Sequence, residues 1–157
     1  MIKEFRDEFA FLSNFFQKML PIEVDGIQYP TVEHAYQASK TLNRDHRRII
    51  SKLETPALAK RAGNYRGYNG LVIELRQDWQ QVKIDVMSQC LIRKFEQPEL
   101  KRMLLNTGES YLMEGNWWND KFWGWCLKTD SGLNMLGRLL MLVRNYFSVL
   151  EEMKQEY

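Results

Sequence analysis

The sequence predicts a mainly α-helical fold with minor β structure, a compact single domain with a short N-terminal β-hairpin. Three observations carry this. Leu133, Leu136, Leu140, Val143, Phe147 and Leu150 recur three and four residues apart, the stripe of a long amphipathic helix. Helix-opening signals recur upstream: Thr31 after Pro30, Thr55 before Pro56, Asp78 with Gln81, and Pro98. Ile22 to Tyr29 alternates apolar and polar residues around Asp25-Gly26, a strong hairpin signal. At 157 residues the chain has the length of one domain.

In chain order, residues 1–12 are charged and aromatic by turns and suit a short strand, and Ser13-Asn14-Phe15-Phe16 suits a turn. The hairpin then delivers the chain to Thr31. Pro30 keeps Tyr29 extended and blocks helix upstream, so Thr31 caps a helix over about 32–42. Val32, Ala35, Tyr36 and Ser39 form its inward stripe. Glu33, Gln37 and Lys40 follow at i, i+4 and i+7 along a neighbouring face, with Glu33 in the first turn where the macrodipole favours its charge.

Asp45 is the expected cap of a second helix reaching Leu53, with Ile49, Ile50 and Leu53 inward. Thr55-Pro56 opens a third that Gly63 closes. The pattern breaks over 64–76, where Asn64, Gly67, Asn69 and Gly70 mark turns; Leu71-Val72-Ile73 reads equally as a short strand or a lid. Asp78 caps a helix to about Phe95, with Val82, Val86, Cys90 and Ile92 or Phe95 at core spacing. A short helix runs from Pro98 to Gly108, Tyr111-Leu112-Met113 suits a brief strand, and Ser131 caps the last helix.

Composition excludes several classes. The hydrophobic fraction is 45%, well above that of a disordered chain, and the net charge of +2 is not gathered into a basic block. Arg44, Arg47 and Arg48 are interrupted by Asp45 and His46, a poor nucleic-acid footprint. Cys90 and Cys126 lack paired spacing, so neither a disulfide framework nor a metal site is expected, and Cys90 reads as a small buried hydrophobe. The charged N-terminus has no apolar h-region and no stretch reaches membrane-spanning length; a soluble cytoplasmic protein is the expectation. Aromatic residues make up 13%, and four of the five Trp fall between 117 and 125, in a glycine-bearing loop suited to stacking planar ligands.

Three features are expected to converge: Glu33 with Lys40; Trp79; and the 114–124 loop with Asn134 and Gly137 at the head of the last helix. Carboxylates, rings, amides and a helix N-terminus suit a ligand with a flat base, a ribose and a phosphate, the phosphate lying at that N-terminus.

Seven segments, in order over about residues 9–145, closely resemble the NADAR (YbiA-like) family. They are Ser13-Asn14-Phe15, the whole stretch Tyr29 to Lys40, Thr55 to Lys60, Asp78-Trp79, Leu91 to Phe95, Asn119-Asp120 with Phe122-Trp123-Gly124, and Gly132 to Met141. The resemblance implies a compact, mainly helical fold and cleavage of an N-glycosidic bond in nucleotide-like substrates. Activities known in the family include base removal from early riboflavin-pathway intermediates and removal of ADP-ribose from modified guanine in nucleic acid. It makes Glu33 the catalytic carboxylate, with Trp79, Asp120 and Trp123 forming the pocket. Lys40, Asn14, Phe15 and Asn134 match family positions too, and Asn119 and Gly124 join the substrate-binding set through the same motif.

Cleaving a ribosyl C–N bond builds positive charge on the sugar, which a carboxylate stabilises while activating water. Glu33 is the candidate; Asp120 is a second carboxylate or a ribose ligand, and Lys40 a proton source for the leaving base. No cofactor, metal or obligate protein partner is expected. The partner is a nucleotide-like small molecule or ADP-ribosylated nucleic acid. The chain departs from the family pattern in the longer 64–76 connection and in the extra Trp117 and Trp118. Arg61 and Arg66 at that connection tilt the expectation toward an ADP-ribosylated substrate. The alternatives are a non-catalytic ADP-ribose or NAD binding module, and a nucleic-acid binder using Arg44, Arg47, Arg48 and Arg66.

Overall fold

The computed structural model describes residues 1–155. It is mainly helical with minor β structure, and the backbone forms two units.

Residues 14–94 form one unit. Strands β1 (Ile22–Val24) and β2 (Ile27–Tyr29) pair antiparallel, with Ile22 opposite Tyr29. Asp25 and Gly26 between them both take positive φ, which this tight turn requires and which explains the pair in the sequence. Helix α1 (Val32–Ala38) opens on Thr31, whose hydroxyl accepts the His34 amide at 3.2 Å.

The helix is shorter than its sequence pattern. The Ser39 hydroxyl donates back to the Ala35 carbonyl, and the Lys40 and Thr41 amides turn to carbonyls three residues back, tightening the end. Lys40 therefore lies beyond the helix. All seven helical residues are buried, polar ones included, so α1 has no solvated face.

Helix α2 (Arg44–Ser51) is capped by Asn43, whose side chain accepts the amides of both Asp45 and His46; Asp45 is not the cap. Ile50 is buried, Leu53 half-buried and Ile49 exposed, so one of the three expected inward residues faces out. Helix α3 (Pro56–Ala62) begins and ends as its sequence signals, with Thr55 accepting the Leu58 amide and Gly63 at the C-cap. The 64–76 segment holds two turns, one closed by the Gly67 amide on the Asn64 carbonyl at 2.9 Å and one with Tyr68 bridged to Leu71 across Asn69 and Gly70; Leu71 joins that bridge and Val72 is exposed.

Helix α4 (Trp79–Phe95) reaches Phe95 as expected, but its core stripe is Trp79, Met87, Cys90, Leu91, Lys94 and Phe95, with Val82 and Val86 only half-buried. The Asp78 carboxylate is held bidentately by Arg76 at 2.6 and 2.9 Å instead of capping the helix through Gln81.

Residues 1–13 and the chain from Phe95 onward form the second unit. Residues 1–12 make no strand beyond one bridge from Ile2 to Leu112; a 3₁₀ turn spans Asp7–Leu12, and Phe11 meets Phe95 edge-on at 6.5 Å. Helix α5 (Pro98–Leu105) packs on α6 (Met135–Gln155) with Lys101 bonded to Glu151 at 3.0 Å. Strands β3 (Gly115–Asn116), β4 (Trp125–Cys126) and β5 (Ser131–Gly132) form a small sheet in that order, β3 parallel and β5 antiparallel to β4.

Leu136, Leu139, Leu140, Val143 and Phe147 are the buried stripe of α6. Ser131 belongs to β5 and Leu133 is exposed, so neither belongs to that helix. No helix among the described residues is long and apolar enough to cross a membrane.

Candidate active site

Within residues 14–94 the polar groups of α1 are interlocked. Glu33 is 6% exposed, a degree of burial carboxylates accept only when partnered. Its backbone amide donates to the Asn14 carbonyl at 3.1 Å, and its Oε1 accepts from Gln37 Nε2 at 2.7 Å. Asn14 donates through Nδ2 to the Met87 sulfur at 3.4 Å, and its buried Oδ1 has no hydrogen-bond partner. Next to it Phe15 is partly exposed, with the Lys60 ammonium 5.8 Å from its ring.

Lys40 is half-buried. Its Nζ donates to the Gly63 carbonyl at 3.3 Å and stands 5.7 Å from the Tyr36 ring centre. Burial lowers Lys40 from its ordinary value, Glu33 opposes that shift, and Lys60 adds to it. Trp79 is buried and packs at 5.1 Å and 56° against Tyr36, so its ring has little surface left for a ligand base.

His34, beside Glu33, is built into the fold. Nε2 donates to the Leu53 carbonyl at 3.0 Å and Nδ1 accepts from the Thr31 hydroxyl at 2.7 Å. Burial lowers His34 from its ordinary value, which keeps it neutral, and the Leu53 bond opposes this. Burial pushes the Cys90 thiol up to about 12, so it is inert packing.

The Trp-rich loop, in the other unit, uses its polar groups on its own backbone. The Asn116 side chain clamps Asp120, donating to its carbonyl at 2.8 Å and accepting its amide at 3.0 Å. Asp120 Oδ1 accepts the amides of Phe122 and Trp123 at 3.2 and 3.0 Å, the geometry of a turn cap. Asn119 stands at positive φ, a conformation asparagine tolerates. Trp123 is half-buried against Phe122 at 4.9 Å, and Gly124 is buried, with the Asn134 amide donating to its carbonyl.

Asn134 is 1% exposed and fully engaged: Oδ1 accepts the Glu114 amide, and Nδ2 donates to the Leu112 carbonyl and the Tyr111 hydroxyl. The amides of Met135 and Leu136 donate to the carbonyls of Phe122 and Trp123. The expected phosphate seat at the start of α6 is therefore filled by the protein's own backbone.

Of the arginine cluster, only Arg47 is turned inward. Arg47 is buried, bonding the Thr41 carbonyl and Asp25; Arg44 reaches the Asp25 carbonyl and Arg48 pairs with Asp45. This removes one of the four side chains on which a nucleic-acid-binding reading rests; Arg44 and Arg48 stay exposed.

The NADAR domain family matches residues 2–148. The chain belongs to the NADAR family. N-glycosidase YbiA of Escherichia coli (strain K12) is 38% identical over 144 residues, 91% of this chain and 84% of that protein. The chloroplastic riboflavin biosynthesis protein PYRR of Zea mays is 39% identical over 151 residues, 88% of this chain but 23% of that longer protein. The NMR structure of E. coli YbiA superposes with a TM-score of 0.78 at 35% identity, covering 96% of this chain and 89% of that one. Membership at this identity and coverage makes the chain an N-glycosidase.

Lys94, within the matching Leu91 to Phe95 segment, was given no role from the sequence. It is fully buried with its ammonium 5.5 Å from the Phe16 ring centre. The signal was present: Lys94 lies four residues after Cys90 and seven after Met87, on the core stripe of α4. Tyr36, expected only as core, is the ring that touches both Trp79 and Lys40.

Proposed function

We propose that this NADAR protein hydrolyses the ribosyl C–N bond of a nucleotide-like substrate with Glu33 as the catalytic carboxylate. One observation carries the reading: a buried carboxylate in the first turn of α1, oriented by Gln37 at 2.7 Å and electrostatically coupled to a lysine lowered by burial. As the C1′–N bond lengthens, its electron pair moves to the base nitrogen and positive charge develops on the sugar. Glu33 stabilises that charge and takes a proton from the water whose oxygen bonds to C1′. Lys40 gives a proton to the departing nitrogen. A lysine lowered toward neutrality is a better acid for that transfer than an ordinary one. Asn14 and Phe15, adjacent to Glu33 in the fold, are the proposed substrate contacts.

Two substrates are each favoured by an observation. The name of the maize relative favours a ribosylamino-pyrimidine phosphate of riboflavin synthesis. The exposed 64–76 loop, with Arg66 stacked on Tyr65 at 5.3 Å and Arg61 on Tyr68 at 5.2 Å, favours ADP-ribosylated guanine, since stacked cations suit an anionic, base-bearing ligand.

The test offers purified protein both substrates and follows products by mass spectrometry. Release of free base from one of them supports the reading. ADP-ribose binding without any base released over long incubation would replace it with a non-catalytic binding module.

A further inference from the structure

Gln37 is 4% exposed, and its carboxamide is used at one end only: Nε2 donates to Glu33 Oε1 at 2.7 Å, while the buried Oε1 has no hydrogen-bond partner. A buried acceptor left unpaired is a cost the fold must have reason to retain. Turning the carboxamide over would not relieve it, because the oxygen would then face the Glu33 carboxylate.

Its other side lies against Gly63. A methyl group at that position would sit 2.8 Å from Gln37 Cδ and 2.9 Å from its Cβ and would overlap the carboxamide oxygen. Gly63 has φ −79, open to any residue, so what requires glycine here is space. The same Gly63 supplies the carbonyl that holds Lys40 Nζ at 3.3 Å. One residue at the end of α3 thus supports the side chain that orients Glu33 and binds the lysine opposite.

We infer that Gln37, seated on Gly63, is a positioning residue for Glu33, and that Gly63 is the common support of Glu33 and Lys40. The inference rests on Glu33 being the catalytic carboxylate.

The test measures kcat and KM separately in Gln37→Met, which keeps length and removes the donor. The expected result is a fall in kcat of about 100-fold, the size a misplaced reacting group produces, with KM within about threefold. Gly63→Ala is expected to lower kcat in the same direction. Gly63→Ala combined with Gln37→Ala is expected to be no worse than Gln37→Ala alone, because the clash needs both side chains. Should Gln37→Met fail to fold, Gln37→Glu keeps the shape while setting a second carboxylate against Glu33, and the same loss of kcat is expected.

Wild-type kcat in the folded Gln37 variant, or fully additive effects of the Gly63 and Gln37 changes, would overturn the inference. Glu33→Gln separates it from the underlying reading. If that variant is inactive while Gln37→Met turns over normally, only the positioning role fails; if Glu33→Gln turns over normally, the reading of Glu33 fails first.

Discussion

Glu33 and Asp120 are both carboxyl residues bonded to an asparagine, and the protein uses them in opposite ways. Around Glu33 a side chain, Gln37, is a donor, and a lysine is coupled to it; the backbone of α1 is bonded separately to Thr31 and Asn14. Around Asp120 the donors are backbone amides two and three residues ahead, and Asn116 and Asn134 are likewise tied to main chain. A carboxylate that answers its own turn shapes a loop. A carboxylate oriented by another side chain inside a buried helix acts through a lower local dielectric than an exposed one.

Substitutions can break or sharpen this contrast, and by expected effect on stability Asn134 comes first. Asn134→Ala removes the partner of a buried amide and of a buried carbonyl and also leaves alanine at φ 50, a left-handed conformation. The expected loss in urea unfolding is about 3 kcal/mol. Unchanged stability with weakened substrate binding would instead move Asn134 into the binding set.

His34 comes next. Its value is lowered in the folded protein, so below the ordinary 6.5 the unfolded chain binds more protons. Stability should therefore be full above pH 6.5 and decline as pH falls toward the folded value, by at most about 1.4 kcal/mol per pH unit. His34→Gln should flatten that part of the stability–pH curve; an unaltered slope would assign it to other groups.

Asp120 has the smallest expected effect. Asp120→Ala should cost about 1 kcal/mol, as loss of a cap does. Asp120→Asn, which keeps an acceptor oxygen, should leave turnover within about threefold. A tenfold loss of turnover in a stable Asp120→Asn protein would place this carboxylate beside Glu33 and erase the contrast.

What the sequence disclosed follows the range of the interactions involved. The Asp25-Gly26 turn, the Thr31 and Thr55-Pro56 caps and the α6 stripe from Leu136 to Phe147 are local, set by dihedrals and spacing, and were readable. Asn43 displaced Asp45 as a cap because one carboxamide oxygen reaches two amides, a geometry that residue type alone does not reveal. Asp78 lost its capping role to an arginine two residues away.

The site divides along the same line. Glu33, Gln37 and Lys40 stood out by spacing on one segment. That Lys40 turns past the helix to the Gly63 carbonyl depends on α3, 23 residues on, as does the burial of Gln37 against that glycine. The start of α6 looked like an anion seat because a free helix N-terminus is one. The carbonyls that fill it come from Phe122 and Trp123, which only the folded loop brings there.

The central claim is that Glu33 acts on a bound nucleotide as a charged carboxylate. Glu33→Gln keeps the shape of the side chain and removes its charge, so ligand binding by calorimetry and base release by mass spectrometry can be read on the same folded protein. The account predicts binding close to wild type with turnover reduced by orders of magnitude; base release at the wild-type rate would contradict it.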